Sequence, residues 1–147
     1  MLLRSILQRA DDEEVNNLEP SDRNYWQKRT SDDTIKALDL CIEYMKSINN
    51  QFNANYNKGY VGIKDNNKSN NMLIFWPKQD FLRVGTKNAE KDRWFNELES
   101  VGIYVYRDKK TNRVQFRIKA KDAERNKDLL IRLFRDAYQL DHYNEET

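Results

Sequence analysis

The chain has 147 residues, of which 34% are charged and 12% aromatic, with a net charge of +2. That length suits one domain burying roughly 68–70% of the surface its unfolded form exposes, and the aromatic content argues against disorder. No apolar run approaches the ~20 residues of a membrane span, Met1-Leu2-Leu3-Arg4 is not followed by the apolar stretch of a signal peptide, and a single cysteine excludes an internal disulfide, so a reducing, cytoplasmic setting without a membrane partner is expected.

The small net charge hides an asymmetry. Residues 1–50 carry 7 basic and 10 acidic groups (−3), residues 51–121 carry 15 and 7 (+8), and residues 122–147 carry 4 and 7 (−3). A basic middle between acidic ends points toward a polyanionic partner such as DNA or RNA. The alternative source is Lys and Arg placed on sheet edges against aggregation.

In chain order, Leu2, Leu3, Ile6 and Leu7 stand at helical spacing, which predicts a short helix over residues 1–10. The acidic, Asn- and Pro-bearing stretch that follows reads as a linker to about residue 20. A helix this short needs a docking surface, such as a partner or a second copy of the chain in a homo-oligomer. Arg23-Asn24-Tyr25-Trp26 reads as a staple ahead of the next helix or as a recognition loop. Ser31 or Asp32 caps a helix from about 32 to 49, whose apolar stripe is Ile35, Leu38, Ile42, Met45 and Ile48, with Cys41 beside it as a core residue.

From Gln51 the period changes to alternation. Strands are expected over residues 52–56 and 60–64, joined at Asn57-Lys58-Gly59 with Gly59 supplying positive φ, and residues 65–70 are expected as a loop. Residues 72–76, Met-Leu-Ile-Phe-Trp, form the longest apolar run and read as an inner strand with Ile74 in the main core. Pro77 ends it, and residues 81–84 return as its partner. A helix from Lys87 or Asn88 to Ser100 closes near Gly102, and residues 103–107 and 113–119 make a second hairpin. A last helix runs from Asp122 or Asn126 to Leu140, before a polar tail over 141–147. The order is α-ββββ-α-ββ-α, preceded by the short helix. It defines an α+β domain over residues 21–140 with a mainly antiparallel sheet of about six strands.

Catalytic centres find little support. His142 is the only histidine, the four glycines form no phosphate-cradling pattern, and Glu90-Lys91 and Asp108-Lys109 lack the spacing of a Mg²⁺-dependent nuclease. No catalytic residue, metal set or cofactor is expected. The candidate is a surface. Val114, Phe116 and Ile118 alternate with Arg113, Gln115, Arg117 and Lys119, and Ile103 and Val105 alternate with Tyr104 and Tyr106. If the tyrosines share a face with Arg113, Arg117 and Lys119, extended by Arg83, cations can meet phosphates while rings stack on bases. The alternative is an ordinary solvated face with tyrosine packed over arginine stems.

The segments Arg23-Asn24-Tyr25-Trp26, Tyr56-Asn57-Lys58-Gly59-Tyr60-Val61-Gly62, Ile74-Phe75-Trp76-Pro77-Lys78, Phe81-Leu82-Arg83-Val84, and Leu129-Leu130-Ile131 with Ala137-Tyr138 resemble an uncharacterised bacterial and archaeal accessory domain. That domain of unknown function is found C-terminal to PD-(D/E)xK-type nucleases and restriction-like proteins, and the resemblance covers about residues 21–140. It implies a non-catalytic module beside a nuclease or restriction-type partner, with no site residues to carry over. The element order is also similar to small double-wing DNA-binding domains, at the level of fold alone. A protein-interaction or assembly domain without nucleic-acid contact is the other class compatible with these residues.

Overall fold

Residues 51–77 divide into three strands because their turns are local and their periodicity is two, and each strand pairs with the next. A computed structural model describes residues 17–107 and 110–146. The helix expected over residues 1–10 lies outside the described residues. The elements are α1 (Arg23–Gln27), α2 (Asp32–Ile48), β1 (Phe52–Tyr56), β2 (Val61–Asp65), β3 (Lys68–Pro77), β4 (Leu82–Thr86), α3 (Lys91–Ser100), β5 (Tyr104–Tyr106), β6 (Val114–Ile118), α4 (Ala120–Arg125) and α5 (Lys127–Glu146). The six strands form one antiparallel sheet in the order β1-β2-β3-β4-β6-β5, so β6 inserts between β4 and the edge strand β5. The α+β class and the element order match the expectation from sequence.

Several boundaries differ for identifiable reasons. The β2–β3 connection is a two-residue turn, because Asn66 (φ 56°) and Asn67 (φ 68°) adopt the left-handed conformation themselves and Asp65 pairs with Lys68. Gly59 has no positive φ; Gly102, at the end of α3, has φ 82°. Helix α3 starts at Lys91 because the Asn88 side chain is engaged elsewhere: its Nδ2 donates to an Asp136 carboxylate oxygen at 2.7 Å and to the Leu133 carbonyl at 3.3 Å, and its Oδ1 accepts from the Thr86 hydroxyl. The last helix is two, broken at Asn126, whose Nδ2 bonds back to the Asp122 carbonyl at 3.0 Å. Helix α5 then continues to Glu146, through most of the expected tail.

The core lies between the sheet and its helices. Leu73, Phe75, Leu82, Val84, Val114, Phe116 and Ile118 meet Leu38, Cys41 and Met45 of α2, Trp94, Phe95 and Leu98 of α3, and Leu130, Leu133 and Phe134 of α5 in one cluster. Phe134 sets its ring against Phe75 (centroids 6.4 Å apart) and Tyr138 sets its ring against Phe52 (5.4 Å), both edge to face. The Tyr44 hydroxyl donates to the Ala123 carbonyl at 3.0 Å, tying α2 to α4. Residues 72–76 do form an inner strand, but Ile74 stands outside this cluster on the far face of the sheet, although it is 0% exposed. The hairpin register explains it: Ile74 pairs with Gly85, while Leu73 and Phe75 pair with Thr86 and Val84 on the helix side.

The chain before α1 is held to the sheet. The Lys58 N–H donates to the Glu19 carbonyl (2.8 Å), the Gly59 N–H to the Asn17 carbonyl (3.2 Å) and the Ser21 N–H to the Tyr56 carbonyl (3.1 Å). Residues 17–20 of the expected linker are therefore strapped to the β1–β2 turn. Arg23-Asn24-Tyr25-Trp26 forms α1, and buried Trp26 donates through Nε1 to the Asn57 carbonyl at 3.0 Å, a packing role. Among the described residues, no helix is long and apolar enough to cross a membrane.

Candidate nucleic-acid interface

The register places the predicted residues together. Alternation along β6 sends Val114, Phe116 and Ile118 to the helices and Arg113, Gln115 and Arg117 to the far face. Antiparallel pairing sets Arg83 of β4 opposite Arg117, and Tyr104 and Tyr106 of β5 opposite Arg117 and Gln115. Arg83, Tyr104, Tyr106, Arg113 and Arg117 thus share one face.

On that face the guanidinium groups and rings interleave. The Arg83 guanidinium carbon lies 4.4 Å from the Tyr106 ring centroid and 5.5 Å from that of Trp76. The Arg117 carbon lies 4.4 Å from the Tyr104 centroid and 5.0 Å from that of Phe81. Tyr104 and Tyr106 meet edge to face with centroids 5.1 Å apart. The row therefore runs Trp76, Arg83, Tyr106, Tyr104, Arg117, Phe81. Arg83 also donates to Gln115 Oε1, at 2.9 Å from Nε and by a second bond from Nη2.

Arg23, Arg93, Arg107 and Arg132 each pair with a carboxylate. Among the described residues no ion pair involves Arg83 or Arg117, although they stand directly opposite one another across the β4–β6 ladder. Like charges in that position destabilise a sheet, and cation–π contacts, at about 0.5–2 kcal/mol each, offset the cost without neutralising the charge. An anion between them would do both.

Two predicted members differ in character. Arg113 is 3% exposed, with Cδ 3.0 Å from where a Cβ on Gly85 would stand, so it supports the face from below. Lys119 lies one step past β6 at the N-cap of α4, where its N–H donates to an Asp122 carboxylate oxygen at 2.9 Å; it is exposed. With Arg117 and Lys121 it lines an open groove of about 530 Å³ that Asp80 and Asp122 also border. Trp76, Phe81 and Gln115 are additional members of the row. Their signal was present in the sequence, since a hairpin closing over residues 78–81 sets Trp76 opposite Arg83.

Among the described residues no cluster of His, Cys, Asp and Glu could hold a metal ion, and burial of Cys41 pushes its thiol well above the ordinary range, against a reactive thiolate. No family model, curated protein or solved structure matches the chain. The functional reading therefore rests on the geometry of this face and the charge around it. Residues 51–121, with their excess of +8, supply all six strands, whereas α3 within them carries 2 basic and 3 acidic groups, so the positive charge belongs to the strands and turns. The acidic ends supply the helices α2 and α5, on the opposite side of the sheet.

Proposed function

We propose that this chain is a non-catalytic accessory module of a nucleic-acid-processing or defence system and that it binds nucleic acid through the far face of its sheet. The observation that carries the reading is the Arg83–Arg117 pair, cross-strand neighbours flanked by rings and without a carboxylate partner among the described residues. A phosphate has the charge and the oxygens to satisfy two adjacent guanidinium groups, and Arg presents a planar donor fork to it. The excess of basic groups in the strands and their connections, with acidic helices behind the sheet, favours the approach of a polyanion with this face forward. The resemblance of residues 21–140 to a domain beside nucleases supplies the setting, a nuclease or restriction-type partner.

The test is fluorescence anisotropy with labelled single- and double-stranded DNA and RNA at several salt concentrations. The Arg83→Ala, Arg117→Ala, Lys119→Ala triple variant is expected to fold, because these side chains lie at or near the surface, and to lose affinity across all sequences. Its salt slope should fall by roughly 0.7–0.9 per phosphate contact removed. Arg113 is left intact because its burial would confound binding with stability. Wild-type protein that binds nothing at low salt would refute the proposal. That outcome would favour protein interaction through exposed Leu18, Val101 and Tyr104.

A further inference from the structure

Resting on the nucleic-acid reading, we infer that the ligand of this face is a single strand and that Tyr104 is the platform on which one of its bases stacks. Tyr104 is 55% exposed, whereas most large apolar and aromatic side chains among the described residues are buried or half-buried. One side of its ring is held by Arg117 and its edge by Tyr106, so the ring is braced while more than half of the residue faces outward. Its two neighbours are themselves engaged, Arg117 with Phe81 and Tyr106 with Arg83, so the contacts that hold the ring are held in turn.

A braced aromatic face beside paired guanidinium groups selects among nucleic acids by geometry. In a duplex the base faces are covered by neighbouring pairs and only their edges are presented in the grooves, which admit a helix or a protruding two-stranded ribbon. The row here lies across β4, β6 and the edge strand β5 of a six-stranded sheet, and its exposed member, Tyr104, offers an aromatic ring. An unpaired strand can splay a base onto Tyr104 while its adjacent phosphates reach Arg117 and Arg83. Its continuation meets the groove beside Tyr104, where Lys119 and Lys121 stand. The ring and the guanidinium groups read neither base edges nor the 2′-hydroxyl, so DNA and RNA strands share this chemistry and weak sequence preference is expected.

The experiment uses the full chain and labelled oligonucleotides of about 12 nucleotides, within the usual site size of such surfaces, as single-stranded DNA, single-stranded RNA and blunt duplex. The single strands should bind more tightly than the duplex. Tyr104→Ala should weaken single-strand binding by roughly 5- to 150-fold, the range equivalent to about 1–3 kcal/mol per stacked base, and leave duplex binding within about twofold. Tyr104→Phe should restore most of the affinity, since stacking needs the ring and not the hydroxyl. Trp76 is the one tryptophan of three that is not buried, and it flanks Arg83, so single-strand binding should also change tryptophan emission. A duplex that binds as tightly as the single strands, or unaltered single-strand affinity in Tyr104→Ala, overturns this inference alone. Absence of binding by any probe removes the nucleic-acid reading and this inference with it.

Discussion

Gly85 shows how one residue shapes the candidate interface. A Cβ there would stand 2.9 Å from Trp76 Cζ3 and 3.0 Å from Arg113 Cδ, so the indole and the arginine stem occupy the space a side chain would fill. Replacing glycine by alanine in a compatible strand would add about 0.4–1 kcal/mol through the unfolded chain, whereas overpacking costs about 1–3 kcal/mol, and at these distances overpacking wins. Gly85→Ala should therefore lower stability by about 1–2 kcal/mol in urea denaturation and alter tryptophan emission as Trp76 moves. A variant as stable as the parent would show that the indole is not seated over Gly85 in solution. The glycine was visible in the sequence, but its role was not, because it depends on Trp76 and Arg113 meeting across three strands. The same holds for Arg113 itself, which alternation assigns correctly to the face of Arg117 without indicating that it is buried.

Elements were legible where local signals agree. Ser31 is the N-cap of α2, as its side-chain type and the acidic first turn predict: its Oγ accepts from the Thr34 N–H at 3.1 Å, and Asp32 and Asp33 follow at the positive end of the helix. Its own N–H donates to the Gln79 carbonyl at 2.9 Å, so the cap also holds the β3–β4 turn. Ser31→Ala should cost about 0.5–2 kcal/mol, read as a lower urea midpoint at unchanged slope; a midpoint within error of the parent would assign the helix start to the turn contact instead. Elements were illegible where a side chain leaves the local pattern for a distant partner. Asn88 delays α3 by reaching Asp136 and Leu133, and the position of β6 between β4 and β5 is a long-range pairing that no local period encodes. The candidate face was legible because alternation is local. The Arg83–Arg117 opposition was only partly so, because it depends on that same crossover.

At the scale of the whole molecule, the strap before α1 revises what can be removed. Residues 17–20 supply acceptors to Lys58 and Gly59, and Glu19 also pairs with the Lys58 ammonium at 2.9 Å, an exposed contact of little weight. With about 0.5–1.5 kcal/mol net for each backbone bond, a chain lacking residues 1–20 should be less stable than one lacking residues 1–16 by about 1–3 kcal/mol. Equal urea midpoints for the two truncations would mean that the strap contributes nothing in solution.

The bond from Tyr44 to Ala123 and the ring pairs made by Phe134 and Tyr138 have a consequence for synthesis on the ribosome. β1 to β4 pair in sequence and can form as soon as Thr86 has emerged, yet the apolar side of that meander waits for α5. At about 5–20 residues per second, the roughly 60 residues from Thr86 to Glu146 take about 3–12 s to add. Until α5 is added Leu73, Phe75 and Val84 share a core cluster with α2 and then α3 but lack Leu130, Leu133 and Phe134, and β4 offers an unpaired edge until β6 arrives. The nascent chain is then most exposed to pairing with a neighbour on the same message, and a slow stretch of translation before residue 114 would lengthen that exposure.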